Sequence, residues 1–240
     1  MDADVVALTR ALCAIPSPTR DEGPVVARAA ELLAGMGWTV RRQEVTPGRD
    51  NLLATRGEPE VVLSTHLDTV PPHLPFAEDG DWLMGRGTVD AKGIAAAMIA
   101  AAERLAAEGE DRVGILLLVG EEDGSDGALA ARTFGPRGRF LINGEPTENR
   151  LVVGQKGALR ILVESEGRAA HSGYPAEGVS ATEPLLDTLA AIRAIPLPVD
   201  PVLGPSTLNI GRVLAGVAPN VIPPHARAEL LVRTVTDTAD

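Results

Sequence analysis

The sequence predicts an α/β fold in which a mixed sheet lies between helix layers, followed by a smaller α+β unit. Segments with strand-like and helix-like apolar spacing alternate along the first part of the chain. The continuous apolar run "RVGILLLVG" is typical of a strand that is covered on both faces. After about Gln155 the order becomes strand, helix, strand, strand. We therefore expect one domain at 1–155 and a second at 156–240, with Gly154 and Gly157 as the hinge.

Start and stop signals define the first two helices. Asp4 can cap a helix that ends at "IPSP", and Asp21 and Pro24 open a second helix that glycines close. An Asp79-Gly80 turn predicts a hairpin. Further strands are predicted at "WTVRRQEV", "NLLATRG", "VVLST", "RVGILLLVG" and "RFLIN", and further helices at 92–107 and "SDGALAARTF". In the second domain, strands are predicted at "ALRILVESEG", "STLNIGRVL" and "ARAELLVRTV", and a helix at "ATEPLLDTLAAIRAI".

Composition excludes several kinds of partner. The 240 residues carry a formal net charge of −11 without a basic stripe, so neither nucleic acid nor an anionic membrane surface is expected to bind. Cys13 is the single cysteine, which rules out an intramolecular disulfide. The N-terminus lacks a signal-peptide pattern, and no apolar run approaches the ~18 residues that cross a bilayer. We expect a cytoplasmic protein.

Acidic and imidazole side chains follow three of the predicted strands. They are His66 and Asp68 after "VVLST", Glu121 and Glu122 after "ILLLVG", and Glu145 after "RFLIN", with Asp90 just before the Ala-rich helix. Reactive groups gather outside the carboxyl ends of strands in open α/β sheets. So many carboxylates in one cleft would repel each other strongly unless cations compensate. Since no thiolate is present, the set predicts Zn²⁺ or a similar divalent ion, and a bridging carboxylate would give a two-metal hydrolytic site.

Each piece taken alone has a simpler structural interpretation. The alternatives are a surface His-Asp pair, an acidic helix N-terminus at "GEED", a helix cap at Asp90 and a solvated turn at Glu145. In the metal-site hypothesis, Asp68 accepts the second imidazole N–H of His66 and fixes its tautomer. The joint placement of these groups at strand ends favours the metal site.

Four motifs, "STHLDTV", "GRGTVDAKG", "LLVGEEDGSDG" and "INGEPT", resemble in this order those of a zinc-dependent aminoacylase and carboxypeptidase family. That family includes acetylornithine deacetylase and succinyl-diaminopimelate desuccinylase. The resemblance runs from about residue 5 to the end. It implies a zinc-peptidase-like catalytic domain with two Zn²⁺ (or Co²⁺ or Mn²⁺), an inserted lid or dimerisation domain, and a homodimer.

The resemblance also implies residue roles. His66 and Glu145 would hold one metal, Glu122 would hold the other, and Asp90 would bridge them. Glu121 would be the general base, which takes a proton from water and later delivers it to the leaving amine. The implied reaction is hydrolysis of an amide bond.

Substrate-binding roles follow from two segments of the second domain. "GRAAHSGYP" resembles the family segment whose histidine, here His171, stabilises the tetrahedral oxyanion, commonly in the partner subunit's site. "GVAPNVIPPHARAELLVR" resembles the lid strands whose Asn and Arg bind the substrate carboxylate, here Asn220 and Arg233. The alternatives are a histidine that caps a Gly-rich loop and an arginine that solubilises a strand edge.

The chain departs from the family pattern in its last segment. Family members have a late histidine that completes the second metal site beside Glu122, but no histidine follows His225. The lid also lacks its last helix and strand, which predicts an open sheet edge. We expect a C-terminally truncated hydrolase, or one completed by another chain. For the isolated chain we expect one fully ligated metal, weak occupancy of the other, and poor or absent hydrolysis.

The leading hypothesis is therefore a dinuclear metal-dependent amide hydrolase that deacylates an N-acyl amino acid. A dipeptidase or carboxypeptidase of the same family is the enzymatic alternative, with a small peptide as substrate. An inactive dimerising or metal-binding remnant is the alternative from another class.

Overall fold

The computed structural model describes residues 3–134 and 138–236. The chain divides into two compact units, Met1–Arg150 and Leu151–Asp240. The division falls slightly before the boundary that the sequence suggests at 155, close to Gly154.

Unit 1 contains helices α1–α4 and strands β1–β7. The helices are α1 (Val5–Cys13), α2 (Gly23–Gly35), α3 (Lys92–Ala107) and α4 (Asp126–Ala131). The strands are β1 (Thr39–Thr46), β2 (Arg49–Thr55), β3 (Val61–His66), β4 (Ala77–Asp79), β5 (Trp82–Met84), β6 (Val113–Leu118) and β7 (Phe140–Asn143). The predicted elements of this unit are all present. In the described part of the chain, no helix is long and apolar enough to cross a membrane.

Local signals explain the first helix. The Asp4 carboxylate accepts hydrogen bonds from the backbone N–H of Val6 and Ala7, as the predicted N-cap requires. Leu8 and Leu12, one helical turn apart, are buried. Capping and amphipathic spacing together place α1 against the core.

The main sheet of unit 1 has five strands in the order β1-β2-β6-β3-β7. β1, β2 and β6 are antiparallel neighbours, whereas β6, β3 and β7 run parallel. The carboxyl ends of β3, β6 and β7 therefore lie at one edge of the sheet. The loops that follow these three strands meet there.

Helices cover both faces of this sheet. Leu52 of β2 belongs to the core formed with α1, α2 and α3. The preceding residue, Asn51, donates a side-chain hydrogen bond to the carbonyl of Gly127 in α4 (2.8 Å). Because successive strand residues point to opposite faces, α4 packs on the other face. The predicted mixed sheet between helix layers is confirmed.

Unit 2 contains a three-stranded antiparallel sheet in the order β11-β12-β8. Its elements are β8 (Gly157–Glu166), a 3₁₀ turn (Pro175–Glu177), α5 (Thr182–Arg193), β9 (Val199–Asp200), β10 (Gly204–Pro205), β11 (Thr207–Ala215) and β12 (His225–Thr234). Leu185 and Leu189 of α5 pack on Ala226, Ala228 and Leu230 of β12. Among the described residues, β8 and β11 each pair only with β12, so both are edge strands.

The burial of Cys13 gives a test of this packing. Cys13 ends α1 and is completely buried, and burial raises the pKa of its thiol to about 11. Because the thiolate is the reactive form, we expect a thiol reagent at about pH 8 to leave the folded chain unlabelled and to label the chain in denaturant. Labelling of the folded chain as fast as of the denatured chain would contradict the packing of α1.

Candidate metal centre

The parallel strands bring the predicted site residues to one edge of the sheet. His66 is the last residue of β3, and its side chain is 1% exposed. Glu121 and Glu122 follow β6, and Glu145 follows β7. Asp90 precedes α3, whose N-cap is Ala91. Asp90 is therefore not the helix cap of the simpler interpretation.

The His66 imidazole lies at the centre of this group. Its Nε2 is 3.1 Å from Asp90 Oδ1, 3.8 Å from Glu145 Oε2 and 4.0 Å from Glu121 Oε2. His66, Asp90 and Glu122 each offer one ligand atom, and these atoms all lie within 4.8 Å of one another. No other group of three or more potential ligands occurs in the described ranges. One imidazole nitrogen with carboxylate oxygens is a donor set that fits Zn²⁺ or a similar divalent ion.

The acids alter the protonation of the groups between them. Burial alone would lower the pKa of His66, but the hydrogen bonds and charges of Asp68 and Glu145 outweigh it and raise the pKa to about 11. Burial raises the pKa of Glu121, as do the charges of Glu145 and Glu122, against the opposing charge of His66. The site thus favours positive charge at its centre, and a proton and a cation would compete for His66 Nε2.

Asp68 contacts the loop of Glu121 and Glu122 as well as the His66 imidazole. His66 Nδ1 is 3.0 Å from the backbone carbonyl of Asp68 and 3.4 Å from its carboxylate, so the nearer partner is the carbonyl. The Asp68 carboxylate accepts the backbone N–H of Glu121 (3.0 Å) and of Glu122 (3.0 Å), and the hydroxyl of Thr19 (2.9 Å). The Asp68 carboxylate therefore contacts the two glutamates and Thr19 as well as the imidazole for which the sequence proposes it as acceptor.

These contacts also set the charge of Asp68. Burial raises the pKa of the Asp68 carboxyl, but the hydrogen bonds from His66 and from the N–H of Glu122 and Glu121 outweigh burial and lower it. The ionised carboxylate is thus the form that the fold favours.

Lys92 is a buried residue near the site that the sequence reasoning missed. It is completely buried, its Nζ donates to the carbonyl of Ile15 (2.6 Å), and burial lowers its pKa to about 8. The bond joins the start of α3, next to Asp90, to the segment after α1. The sequence does carry one signal for this residue: a lysine in the first turn of a helix is unusual, because the helix dipole disfavours a cation there.

The predicted substrate-binding residues lie in unit 2, and the structure does not bring all three together. His171 bridges to Val221, and the N–H of Ser172 donates to the carbonyl of Asn220 (3.0 Å), so His171 and Asn220 are neighbours. Arg233 pairs with Ala158 near the far end of β12. Along the strand, at ~3.4 Å per residue, Arg233 is about 27 Å from the end of β12 that begins at 225. Asn220 precedes β12, so within one chain the length of this strand separates Asn220 from Arg233.

The His171 side chain has its own local contacts. Its Nδ1 accepts the backbone N–H of Gly173 (3.0 Å), and its ring lies 5.8 Å from the ring of Tyr174. The loop around His171 thus fixes the ring through Nδ1. Nε2 is the ring nitrogen that this hydrogen bond leaves for another partner.

Two family models match the chain. The model described as peptidase dimerisation domain matches residues 153–239, and the model described as peptidase family M28 matches residues 51–145. The second match spans all four predicted metal ligands. The first match covers most of unit 2.

Curated relatives and solved structures agree with these matches. A peptidase M20 domain-containing protein from Schizosaccharomyces pombe is 40% identical over 244 residues, which cover 98% of this chain and 61% of that protein. A "probable carboxypeptidase" from Aspergillus fumigatus is 40% identical over 271 residues, which cover 96% of this chain and 62% of the relative. The chain thus spans about three fifths of the length of these curated relatives. An M20 family metallo-carboxypeptidase from Sulfolobus solfataricus has the same fold, with a TM-score of 0.74 at 15% identity over 99% of this chain and 72% of that chain.

These findings support the family resemblance at its broader level. None of the three proteins is named as an acetylornithine deacetylase or a desuccinylase, so that finer assignment stays a proposal. The chain thus has an M20 peptidase-like α/β fold, and its sequence is similar to M20 and M28 peptidases over most of its length.

Proposed function

We propose that this chain carries the catalytic centre of a metal-dependent hydrolase that cleaves an amide bond in a small peptide or an N-acyl amino acid. The observation that carries the proposal is the group formed by His66, Asp90 and Glu122, whose ligand atoms lie within 4.8 Å of one another. A curated relative named as a probable carboxypeptidase favours a peptide substrate. Deacylation of an N-acyl amino acid is the second candidate, on the four motifs alone.

The donor set suggests how two ions would be held. His66 and Glu145 would bind one ion, Glu122 the other, and Asp90 both, with Zn²⁺ as the first candidate and Co²⁺ or Mn²⁺ as alternatives. When bound, the ions would supply Lewis acidity for the carbonyl and lower the pKa of water. Asp68 would keep Glu121 and Glu122 in place through its two backbone hydrogen bonds.

Glu121 is the proposed general base. Its side chain is 42% exposed, so it faces the open side of the site, and its Oε2 lies 4.0 Å from His66 Nε2. A raised pKa brings a carboxyl closer to the pH at which it both accepts and returns a proton. Glu121 would accept the proton of the attacking water and donate it to the leaving amine.

Unit 2 is proposed as the lid or dimerisation domain, and unit 1 as the catalytic domain. The match of residues 153–239 to a peptidase dimerisation domain supports a homodimer. We propose that His171 and Asn220 act together on the oxyanion in the partner subunit's site, because their backbones are hydrogen-bonded neighbours. Arg233 would bind a substrate carboxylate separately, from the other end of β12.

The substitution Glu121→Gln tests the proposed base. We expect any Zn²⁺- or Co²⁺-dependent hydrolysis of dipeptides and N-acetyl amino acids to fall by about 100- to 10,000-fold, because the amide cannot accept the proton. Metal affinity should change little, since Glu121 is not one of the proposed ligands. Glu31→Gln, on the exposed side of α2, is the matched control.

Three outcomes separate the hypotheses. Hydrolysis that survives Glu121→Gln would show that Glu121 is not the base. A wild-type chain that binds the metals but hydrolyses neither substrate class would exclude hydrolysis by the chain alone and would fit both the inactive remnant and a hydrolase that another segment or chain completes. A wild-type chain that binds no metal would overturn the proposed function.

The substitution Asp68→Asn tests the support of the site. An amide has one acceptor oxygen, so its NH₂ group would face the N–H of Glu121 or of Glu122. We expect metal affinity to fall by roughly 10- to 100-fold and the free energy of unfolding to fall by about 1–3 kcal/mol. Co²⁺ titration and denaturant unfolding measure the two effects, and unchanged Co²⁺ affinity would refute the positioning role.

A further inference from the structure

We infer that Arg49, bound between Glu22 and Asp126, is a positioning residue that fixes the loop carrying Glu121 and Glu122. The inference rests on the proposed function for its meaning. Its physical basis is a hydrogen-bond network that does not include Asp68. We call residues 120–125 the acidic loop.

The acidic loop is a tight connection between β6 and α4. Gly120 has φ +69° and Gly124 φ +91°, and Ser125 also lies in the left-handed region at φ 54°. The N–H of Ser125 donates to the carbonyl of Gly120 (2.8 Å), which closes the loop on itself. The two glutamates therefore sit in a loop whose ends are joined, so fixing those ends fixes the backbone that carries the two side chains.

The Arg49 guanidinium forms paired hydrogen bonds to two carboxylates. It donates to Glu22 at 2.8 and 2.9 Å and to Asp126 at 2.7 and 3.1 Å. The side chains of Arg49 and Glu22 are 9% and 0% exposed. Buried ions of this kind persist only when their partners satisfy them, and the planar guanidinium geometry suits two carboxylates.

This network reaches both ends of the acidic loop. Glu22 Oε1 also accepts the backbone N–H of Gly120 (3.1 Å), the first residue of the loop. Asp126, the first residue of α4, comes directly after the loop. A single guanidinium therefore joins the start of the loop to its end, with Glu22 as the link to Gly120.

The packing at Gly120 shows how close this contact is. A Cβ atom at Gly120 would lie 1.9 Å from Asp126 Oδ1 and 2.6 Å from Arg49 Nη2, so only glycine fits. Asp68 separately accepts the N–H groups of the next two residues, Glu121 and Glu122. The backbone of the acidic loop is thus bound both by Asp68 and by the Arg49 network.

Lysine cannot replace arginine in this role, because an ammonium group cannot form paired hydrogen bonds to two carboxylates at once. We therefore test Arg49→Lys, which keeps the charge, and use Arg56→Lys as the matched control. Arg56 also binds a partly buried carboxylate, Glu103, and its side chain is 29% exposed. Arg56 follows Thr55, at the other end of β2 from Arg49.

The readouts are Co²⁺ affinity, the Co²⁺ absorption spectrum, and backbone hydrogen exchange, all on the full 240-residue chain. For Arg49→Lys we expect Co²⁺ affinity to fall by about 10- to 100-fold, with a changed spectrum and faster exchange in residues 120–125. For Arg56→Lys we expect the wild-type affinity, spectrum and exchange in that loop. Equal effects in the two variants, or stability loss in Arg49→Lys with unchanged affinity and loop exchange, would overturn the inference.

A second variant keeps the test valid if Arg49→Lys fails to fold. The Asp126 side chain is 40% exposed, so Asp126→Asn should fold, and it should show the same changes at smaller size. Loop exchange separates this inference from the proposed function. If the wild-type chain binds no Co²⁺, the proposed function fails, while faster loop exchange in Asp126→Asn would still support the positioning role and wild-type exchange would overturn it.

Discussion

Mutual repulsion among carboxylates at one edge of a sheet is the constraint on which this structure depends. Asp90, Glu121 and Glu145 each place an oxygen within 4.0 Å of one imidazole nitrogen of His66. Like charges this close, partly shielded from water, are unfavourable without positive charge between them. The neighbouring carboxylates also raise the pKa of the His66 imidazole, so the site favours positive charge where a divalent cation would lie. Metal binding is therefore the simplest physical explanation of the cluster.

Strand pairing and hydrogen bonds fix the positions of the acidic residues. Parallel pairing of β6, β3 and β7 fixes where the acids emerge. Hydrogen bonds then fix the backbone of the acidic loop. Asp68 binds two of its N–H groups, and the network of Glu22, Arg49 and Asp126 binds a third and joins the ends of the loop. Burying ionised side chains such as Glu22 and Arg49 costs free energy. Such costly groups cluster at functional sites, so their presence beside the acidic loop supports a functional site there.

Much of this could be predicted from the sequence, because local patterns decide it. The Asp4 cap, the apolar spacing of α1 and the bounds of α3 are local, and so is the position of His66 at a strand end. The partners of Asp68, the Arg49 network and the separation of Asn220 from Arg233 depend on pairing between distant segments. A single sequence carries no local signal for such pairing. Two residues were indirect signals of these contacts. Gly120, directly before the acidic residues, is typical of a tight turn, and Lys92 is an unfavourable residue at the start of a helix.

Anomalous diffraction at the zinc edge, from crystals of the 240-residue chain grown with Zn²⁺, tests the central claim most directly. The account predicts a peak about 2.0–2.2 Å from His66 Nε2 and from oxygens of the neighbouring carboxylates. A structure with His66, Asp90 and Glu122 placed as described here, but without a zinc peak among them, would contradict it.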